Sequence, residues 1–418
     1  MITLSILLVA LCTGVGFLWL ARRAALAIGL VDRPDTRKRH LGEVPLAGGA
    51  GVYAALVATA LIAWPLAPYG ASGVAAIVLG LLALVIGMID DARGLTPKLR
   101  LVLQIGLALL LTAGFHIQVD GLGDVFGTGA IAFGVVGSTV FTAFCIVGAL
   151  NATNMSDGLD GLLASLVGLS LAALATLMID AGNPPEPLAI ATIGALGAFL
   201  LFNLGAFGPA RRLFLGDSGS TLLGLVLGVL VIGAAQGPVP SIEPVTAGWL
   251  LGLPLLDTVV VVVRRLLQGR SPLVAGRDHL HHLLQDLGLS PRRTLCAMVA
   301  LHSLLLAGGF VAEFSALPAW VFLYAFVAIT LAHLAASTAM ARRIDSREVV
   351  PPTEIEPVVP LPSAAAPEGL AGTREPALVG AEPSAPAPRP ARTAAPANAR
   401  SAARRRTARG PREKAFAD

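Results

Sequence analysis

MITLSILLVALCTGVGFLWLARR, residues 1–23, is the stretch that decides the architecture. Its first 20 residues carry no charge, and Arg22 and Arg23 follow them. About 20 apolar residues in helical form cross the hydrocarbon core of a bilayer. A cleaved secretory leader sets basic residues ahead of its apolar run, and here that order is reversed. The segment reads as a retained first span that starts outside and ends at cytoplasmic arginines.

Ten similar runs follow, at about 46–64, 72–89, 99–115, 131–149, 162–179, 188–206, 219–235, 246–263, 294–311 and 318–340, giving eleven apolar segments. Several are rich in glycine, which suits close helix packing in lipid. The connections between them alternate in charge. All 19 Lys and Arg before position 345 fall within 22–39, 93–100, 211–212, 264–293 and 342–343. The opposite connections carry only acids, namely Asp120, Asp124, Asp180, Glu186, Glu243 and Glu313. Basic loops stay in the cytoplasm, so the amino terminus is expected outside and the carboxy terminus inside. A missed or invented span would break this alternation.

Composition agrees: 13% of the 418 residues are charged and 55% hydrophobic, against about 25% charged in soluble domains. The expected fold is an all-α polytopic membrane protein with about eleven transmembrane helices in one domain, 1–344. Cys12, Cys145 and Cys296 lie in or beside apolar runs without metal or redox spacing, and read as small core residues. From 345 to 418 the chain turns to Pro, Ala, Arg and Glu. That segment has too little apolar area to offset its chain entropy and reads as a disordered cytoplasmic tail. Its Arg404–Arg406 cluster reads as solvated, and no nucleic-acid partner is expected.

Polar motifs gather in five connections on the basic side. The first, DRPDTRKRHLGEVPLAGG (32–49), offers five basic side chains and a Pro/Gly turn; alone it serves equally well to set topology. The second, GMIDDARG, ends the third span with Asp90 and Asp91. Adjacent carboxylates at a membrane boundary are costly unless they meet a cation or water. The third, NATNMSDGLDGL (151–162), spaces Asn151 from Asn154 and Asp157 from Asp160 by three residues. At helical pitch each pair shares a face. It lacks the glutamate of a calcium loop. The fourth, FLGDSGST (214–221), puts Asp217 among small residues at a helix start. Free N–H groups there suit phosphate, and a carboxylate beside a phosphate calls for a metal between them; a plain N-cap is the bland alternative. The fifth holds Arg264, Arg265 and RDHLHHLL (277–284), with His279, His281 and His282. No cysteine accompanies these histidines and no i, i+4 zinc pair is present. Walker, GxSxG and GxGxxG patterns are absent, which disfavours ATP-driven transport and serine hydrolysis.

In this order the five motifs resemble the polyprenyl-phosphate N-acetylhexosamine-1-phosphate transferases, the membrane superfamily that includes phospho-N-acetylmuramoyl-pentapeptide transferase. The resemblance spans 32–284 and leaves the tail aside. PLAGG and HLHH resemble the branch that uses UDP-N-acetylglucosamine; the muramoyl branch has a PTMGG-like turn and three histidines before an acid. The resemblance implies a helix bundle in a bacterial inner membrane with a cleft facing the cytoplasm. It implies a UDP-N-acetylhexosamine donor, a polyprenyl (undecaprenyl) phosphate acceptor and Mg²⁺, with Mn²⁺ also suiting the oxygen ligands. Asp217 would be the principal metal ligand with the Asn154 amide oxygen nearby. Asp90 and Asp91 would handle the lipid phosphate or assist the metal, and Asp157 and Asp160 would lie on the nucleotide side. Lys38, His40, Asn151, Arg265 and His279, with His281 and His282, would hold the diphosphate and sugar. The oligomeric state is left open, a dimer included.

A non-catalytic membrane scaffold recruiting partners through the tail would not need five polar loops converging on one face, and two further alternatives stand beside this. One keeps the chemistry with another donor: UDP-N-acetylgalactosamine, a deoxy-amino sugar or UDP-muramoyl-pentapeptide. The other is a transporter or flippase, which places charges near the midplane on broken helices. The midspans here are expected to be free of Asp, Glu, Lys and Arg, with the acids clustered at cytoplasmic ends.

Overall fold

Each apolar run becomes a helix in the computed structural model, which describes residues 1–32, 43–272, 274 and 276–348. Lys38 and His40 lie outside the described residues, as does the expected tail beyond 348. The long helices are α1 (Ile2–Ile28), α2 (Gly48–Ala63), α3 (Ala71–Arg93), α4 (Pro97–Phe115), α5 (Val135–Ser156), α6 (Leu162–Asp180), α7 (Pro187–Asn203), α8 (Gly216–Gln236), α9 (Pro244–Leu267), α11 (Pro291–Phe314) and α12 (Ala319–Glu348), with a short α10 (Leu280–Asp286) between α9 and α11. Among the described residues nine helices are long and apolar enough to cross a membrane. The other two expected spans, α2 and α7, are shorter at 16 and 17 residues.

The helix starts follow local chemistry. Proline opens α4, α7, α9 and α11, where its missing N–H is one that no helix would satisfy. The Thr96 and Ser290 side chains accept from the Leu99 and Arg293 N–H groups and cap α4 and α11. Two small antiparallel ladders join helices: β1 (Val31–Asp32) with β2 (Val44–Pro45), and β3 (Gly121–Gly123) with β4 (Ile131–Ala132). The second ladder takes up the residues from 131, so α5 begins at Val135.

Helix α8 is the axis of the bundle. In its span 94% of residues are buried, against α2, α3, α5, α6 and α9. Glycine makes that approach possible. A methyl group on Gly87 of α3 would lie 2.3 Å from the Ser218 Cα, and one on Gly49 of α2 would lie 2.4 Å from the Gly219 nitrogen. Leucine and valine side chains on outer faces, such as Val78, Leu81, Leu82 and Val85 of α3, are exposed. That is the disposition expected of a lipid-facing surface. Cys12 and Cys296 are exposed as well, so the expectation of small core residues is corrected for them. A thiol behaves as a small hydrophobe, and lipid suits it as well as a core does.

Helix α9 breaks at Gly252 (φ 41°, ψ −122°), two residues before Pro254. The break leaves a buried backbone donor to satisfy. His302 of α11 meets it: its Nδ1 accepts from the Leu253 N–H at 3.3 Å, while its Nε2 lies 3.1 Å from both the Leu166 carbonyl and the Ser170 hydroxyl. Beyond the break the same helix carries Asp257, 5% exposed. The expectation of midspans free of Asp, Glu, Lys and Arg is therefore corrected at this residue. A carboxylate survives there because donors from two other elements reach it.

Candidate active site

The site grows from the amino terminus of α8. Gly216 takes φ +75°, and a methyl group on it would meet the Asp91 carboxylate at 2.6 Å. Only glycine suits both demands. Asp91 then caps the helix from α3, its Oδ1 accepting from the Asp217 N–H at 2.8 Å and its Oδ2 from the Ser218 N–H at 3.0 Å. The PLAGG segment is stitched alongside. Phe214 N–H donates to the Pro45 carbonyl, and the Gly48 and Gly49 N–H groups donate to the Phe214 and Leu215 carbonyls. The first and fourth sequence motifs thus form one backbone unit.

Asp217 points its Oδ1 at the Asn154 amide nitrogen, 2.6 Å away. Asn154 is braced by the Ser220 hydroxyl at 3.0 Å, and its Oδ1 accepts from Arg100 at 3.4 Å. Arg100 also pairs with Asp90 at 2.7 Å, and Asp90 accepts from the Leu95 N–H at 2.7 Å. The chain Asp90–Arg100–Asn154–Asp217 therefore ties α3, α4, α5 and α8 together. Thr153 closes the α5–α8 contact by donating to the Ser220 carbonyl at 3.0 Å. Asn151 stands one turn back and donates to the Gln104 side chain at 2.7 Å.

Asp157 and Asp160 differ from the sequence expectation. Helix α5 ends at Ser156, and the aspartates lie in the turn that follows, so helical pitch does not put them on one face. The turn is built by glycines, Gly161 at φ +77° among them, with its N–H held by the Asn203 Oδ1 at 2.6 Å. Asp160 pairs with Arg212 at 3.4 Å and accepts from the Asn203 amide at 3.4 Å. Burial, then the charges of Asp217, Asp91 and Asp160, push the Asp157 carboxyl well above the ordinary range. Negative charge is thus in excess here.

The fifth motif closes on the third. A methyl group on Gly158 would lie 2.2 Å from the His281 Nε2, a buried atom without a hydrogen-bond partner among the described residues. Burial, then the neighbouring His282 and His279, lower His281 to about 3. Burial and then Arg277 lower His282 to about 4. Both rings are therefore neutral at pH 7. Arg265 holds its own loop: its Nε and Nη2 donate to the Asp278 Oδ2 at 2.9 and 2.7 Å, and its Nη1 donates to the Pro272 and Val274 carbonyls. Burial works to raise the Asp278 carboxyl, but the Arg265 hydrogen bond and charge outweigh it and hold it below the ordinary range. His279 donates from Nδ1 to the Asp257 carboxylate at 2.9 Å.

The structure therefore gathers Asp90, Asp91, Asn154 and Asp217 directly, brings Asp157 within their field, and sets His281 against the Asp157–Asp160 turn. Asn151, Arg265 and His279 contact supporting residues instead. Sequence reasoning missed Arg100, Asn203, Asp257 and Asp278. Arg100 and Asp257 had a usable signal, since a lone charge in an apolar run asks for a partner. Asn203 had none.

Among the described residues no three His, Cys, Asp or Glu side chains form a ready metal cage. A hard cation such as Mg²⁺ does not need one, because it keeps several waters and binds one or two carboxylates plus substrate phosphates. Carboxylate oxygens crowded together, those of Asp157 and Asp217 foremost, fit that demand.

Residues 74–235 match the model of a family described as glycosyl transferase family 4. The chain is 36% identical over 315 residues to the undecaprenyl-phosphate alpha-N-acetylglucosaminyl 1-phosphate transferase of Yersinia pestis, covering 74% of this chain and 85% of that protein. The protein of the same name in Escherichia coli strain K12 is 35% identical over 313 residues, covering 74% and 84%. That of Haemophilus influenzae is 34% identical over 268 residues, covering 64% and 74%.

Proposed function

The chain belongs to glycosyl transferase family 4, and from that premise we propose that it transfers N-acetylglucosamine 1-phosphate from UDP-N-acetylglucosamine to undecaprenyl phosphate, releasing UMP. The observation that carries the reading is the convergence of Asp90, Asp91, Asn154 and Asp157 on Asp217 at the start of α8. The relatives' shared name supports the choice of sugar and lipid. The basic connections support a site facing the cytoplasm of a bacterial inner membrane.

The acceptor phosphate oxygen attacks the sugar-bearing phosphorus in line. A new P–O bond forms as the bond from that phosphorus to the bridging oxygen breaks, and the bridging oxygen leaves with UMP. A phosphate monoester has a second pKa of about 6, so the attacking oxygen is already largely ionised at neutral pH. No strong base is needed, and Asp90, held by Arg100 and the Leu95 N–H, orients groups rather than abstracting a proton. Two anions must meet, so positive charge has to be supplied. Asp217 would hold Mg²⁺, with Asn154 beside it keeping that carboxylate in place. When bound, the ion offsets phosphate charge and steadies the leaving group. Arg100 and the neutral His281 complete the surroundings from the protein side.

Purified protein in detergent, given undecaprenyl phosphate, Mg²⁺ and a panel of UDP-N-acetylhexosamines, is expected to release UMP only with both lipid and metal. UMP from another sugar would change the donor. No UMP from folded protein with any donor would overturn the reading. Inversion at a chirally labelled phosphorus is expected, and retention would point to a covalent aspartyl-phosphate.

A further inference from the structure

Asp257 lies inside α9, past the break at Gly252, and three donors from two other elements converge on it. Its Oδ2 accepts from the His279 Nδ1 at 2.9 Å, and its Oδ1 accepts from the Leu280 N–H at 3.1 Å and from the His333 Nε2 of α12 at 3.2 Å. A carboxylate in an apolar helix is costly, and such residues mark functional sites more often than structural ones. Here the cost is offset by two histidine rings and one backbone N–H.

An ionised carboxylate only accepts hydrogen bonds, so both histidines must present N–H to it. Nδ1 of His279 is therefore the donor to the carboxylate, and Nε2 is left as the atom that can meet a ligand. Among the described residues Nε2 has no hydrogen-bond partner. The Leu280 contact anchors the backbone at the start of α10, where His279 is the N-cap residue. Ring tautomer and ring position are thus set by the same carboxylate. The His281 ring stacks parallel to that of His279 at 6.0 Å, and His281 in turn abuts Gly158 of the Asp157–Asp160 turn. His333 belongs to α12, where only 6% of the span is buried.

We propose that Asp257 is a positioning residue for the transfer reaction, fixing the tautomer and orientation of His279 toward the UDP-sugar, and that His333 completes this arrangement from α12. The inference rests on the proposed function. Carboxylates that hydrogen-bond metal-ligating histidines and fix their tautomer are typically worth about 10- to 100-fold in affinity or activity, and that is the scale taken for His279.

The test is steady-state kinetics of UMP release with UDP-N-acetylglucosamine and undecaprenyl phosphate varied separately. Asp257→Asn keeps the shape and an acceptor for the Leu280 N–H, but turns an NH₂ toward His279 and forces its proton onto Nε2. It is expected to raise KM for the UDP-sugar about 10- to 100-fold and to leave KM for the lipid phosphate unchanged. Asp257→Glu is expected to recover part of that loss. In a His279→Ala background Asp257→Asn is expected to add nothing further. If Asp257 variants fold poorly, His333→Leu is expected to raise KM for the UDP-sugar a few-fold and His333→Gln, whose amide can donate in place of the ring, to restore it. A fall in kcat with both KM values unchanged, or full additivity with His279→Ala, would overturn the inference and leave the transferase reading intact. Absence of UMP from the wild-type protein would instead overturn the reading on which it rests.

Discussion

The two ends of the bundle treat their carboxylates differently. At one end Asp90, Asp160, Asp257 and Asp278 are paired with Arg100, Arg212, His279 and Arg265, and Asp157 and Asp217 sit among further negative charge. At the other end Glu186 accepts from the Gly70 N–H, Asp124 from the Gly129 N–H, Asp120 from the Gln118 amide and the Ser138 hydroxyl, and Glu313 from the Glu243 N–H and the Thr246 hydroxyl. These are caps and turn clasps that complete themselves. Closing a helix bundle needs no more than that. The surplus of opposed charge at the first end is therefore explained by something the bundle receives.

If that contrast is correct, substitutions at the two ends should divide cleanly. Asp217→Asn should lower kcat for UMP release about 10³-fold, in line with the several kcal/mol a metal-held phosphoryl site supplies, while folded yield is retained. Arg100→Met strands the buried Asp90 carboxylate, a loss of about 3 kcal/mol or more. It should cut kcat roughly 10²-fold, and Arg100→Lys should recover part of it. Gly216→Ala places a Cβ at positive φ, which costs about 1–2 kcal/mol, and pushes on Asp91; activity should fall about tenfold with a lowered thermal midpoint.

Glu186→Gln, at the other end, should leave UMP release unchanged, and a large loss would break the comparison. Its effect should appear in stability instead. Burial, against the N–H groups of Gly70 and Leu188, lifts the Glu186 carboxyl from 4.5 to about 7. The folded protein then holds this proton more tightly than the unfolded chain. Stability from this group is fully present below 4.5 and is lost as pH rises through 7, a change of up to about 3 kcal/mol. Thermal melts across that window should decline with pH in the wild type and flatten in the variant.

Much of this was legible in the sequence, and the reasons are local. Hydropathy and the alternation of basic and acidic connections mark where each helix lies, and the five motifs mark the end that carries the chemistry. The misreadings are as informative. Helical pitch does not reach Asp157 and Asp160, because α5 ends at Ser156 and Gly161, at φ +77°, already leads into α6. Asp257 was passed over because its partners stand 22 and 76 residues away, and nothing in a short window shows them. Nor does hydropathy tell what a helix faces: α8 and α12 are almost equally apolar, yet the span of one is 94% buried and that of the other 6%. Glycine separates them, since α8 holds Gly219, Gly224, Gly228 and Gly233 and α12 has none.

The burial of α8 also bears on how the protein is made. The helices that surround it are α2, α3, α5, α6 and α9, and of these only α9 is synthesised later. When α8 leaves the ribosome, most of its walls are already in the bilayer. Its glycine face meets helices that precede it in the chain, at Gly49 of α2 and Gly87 of α3, and Asp217 meets Asp91 and Asn154 there. Chain order alone thus makes Asp217 the last to be synthesised of the residues Asp90, Asp91, Asn154, Asp157 and Asp217.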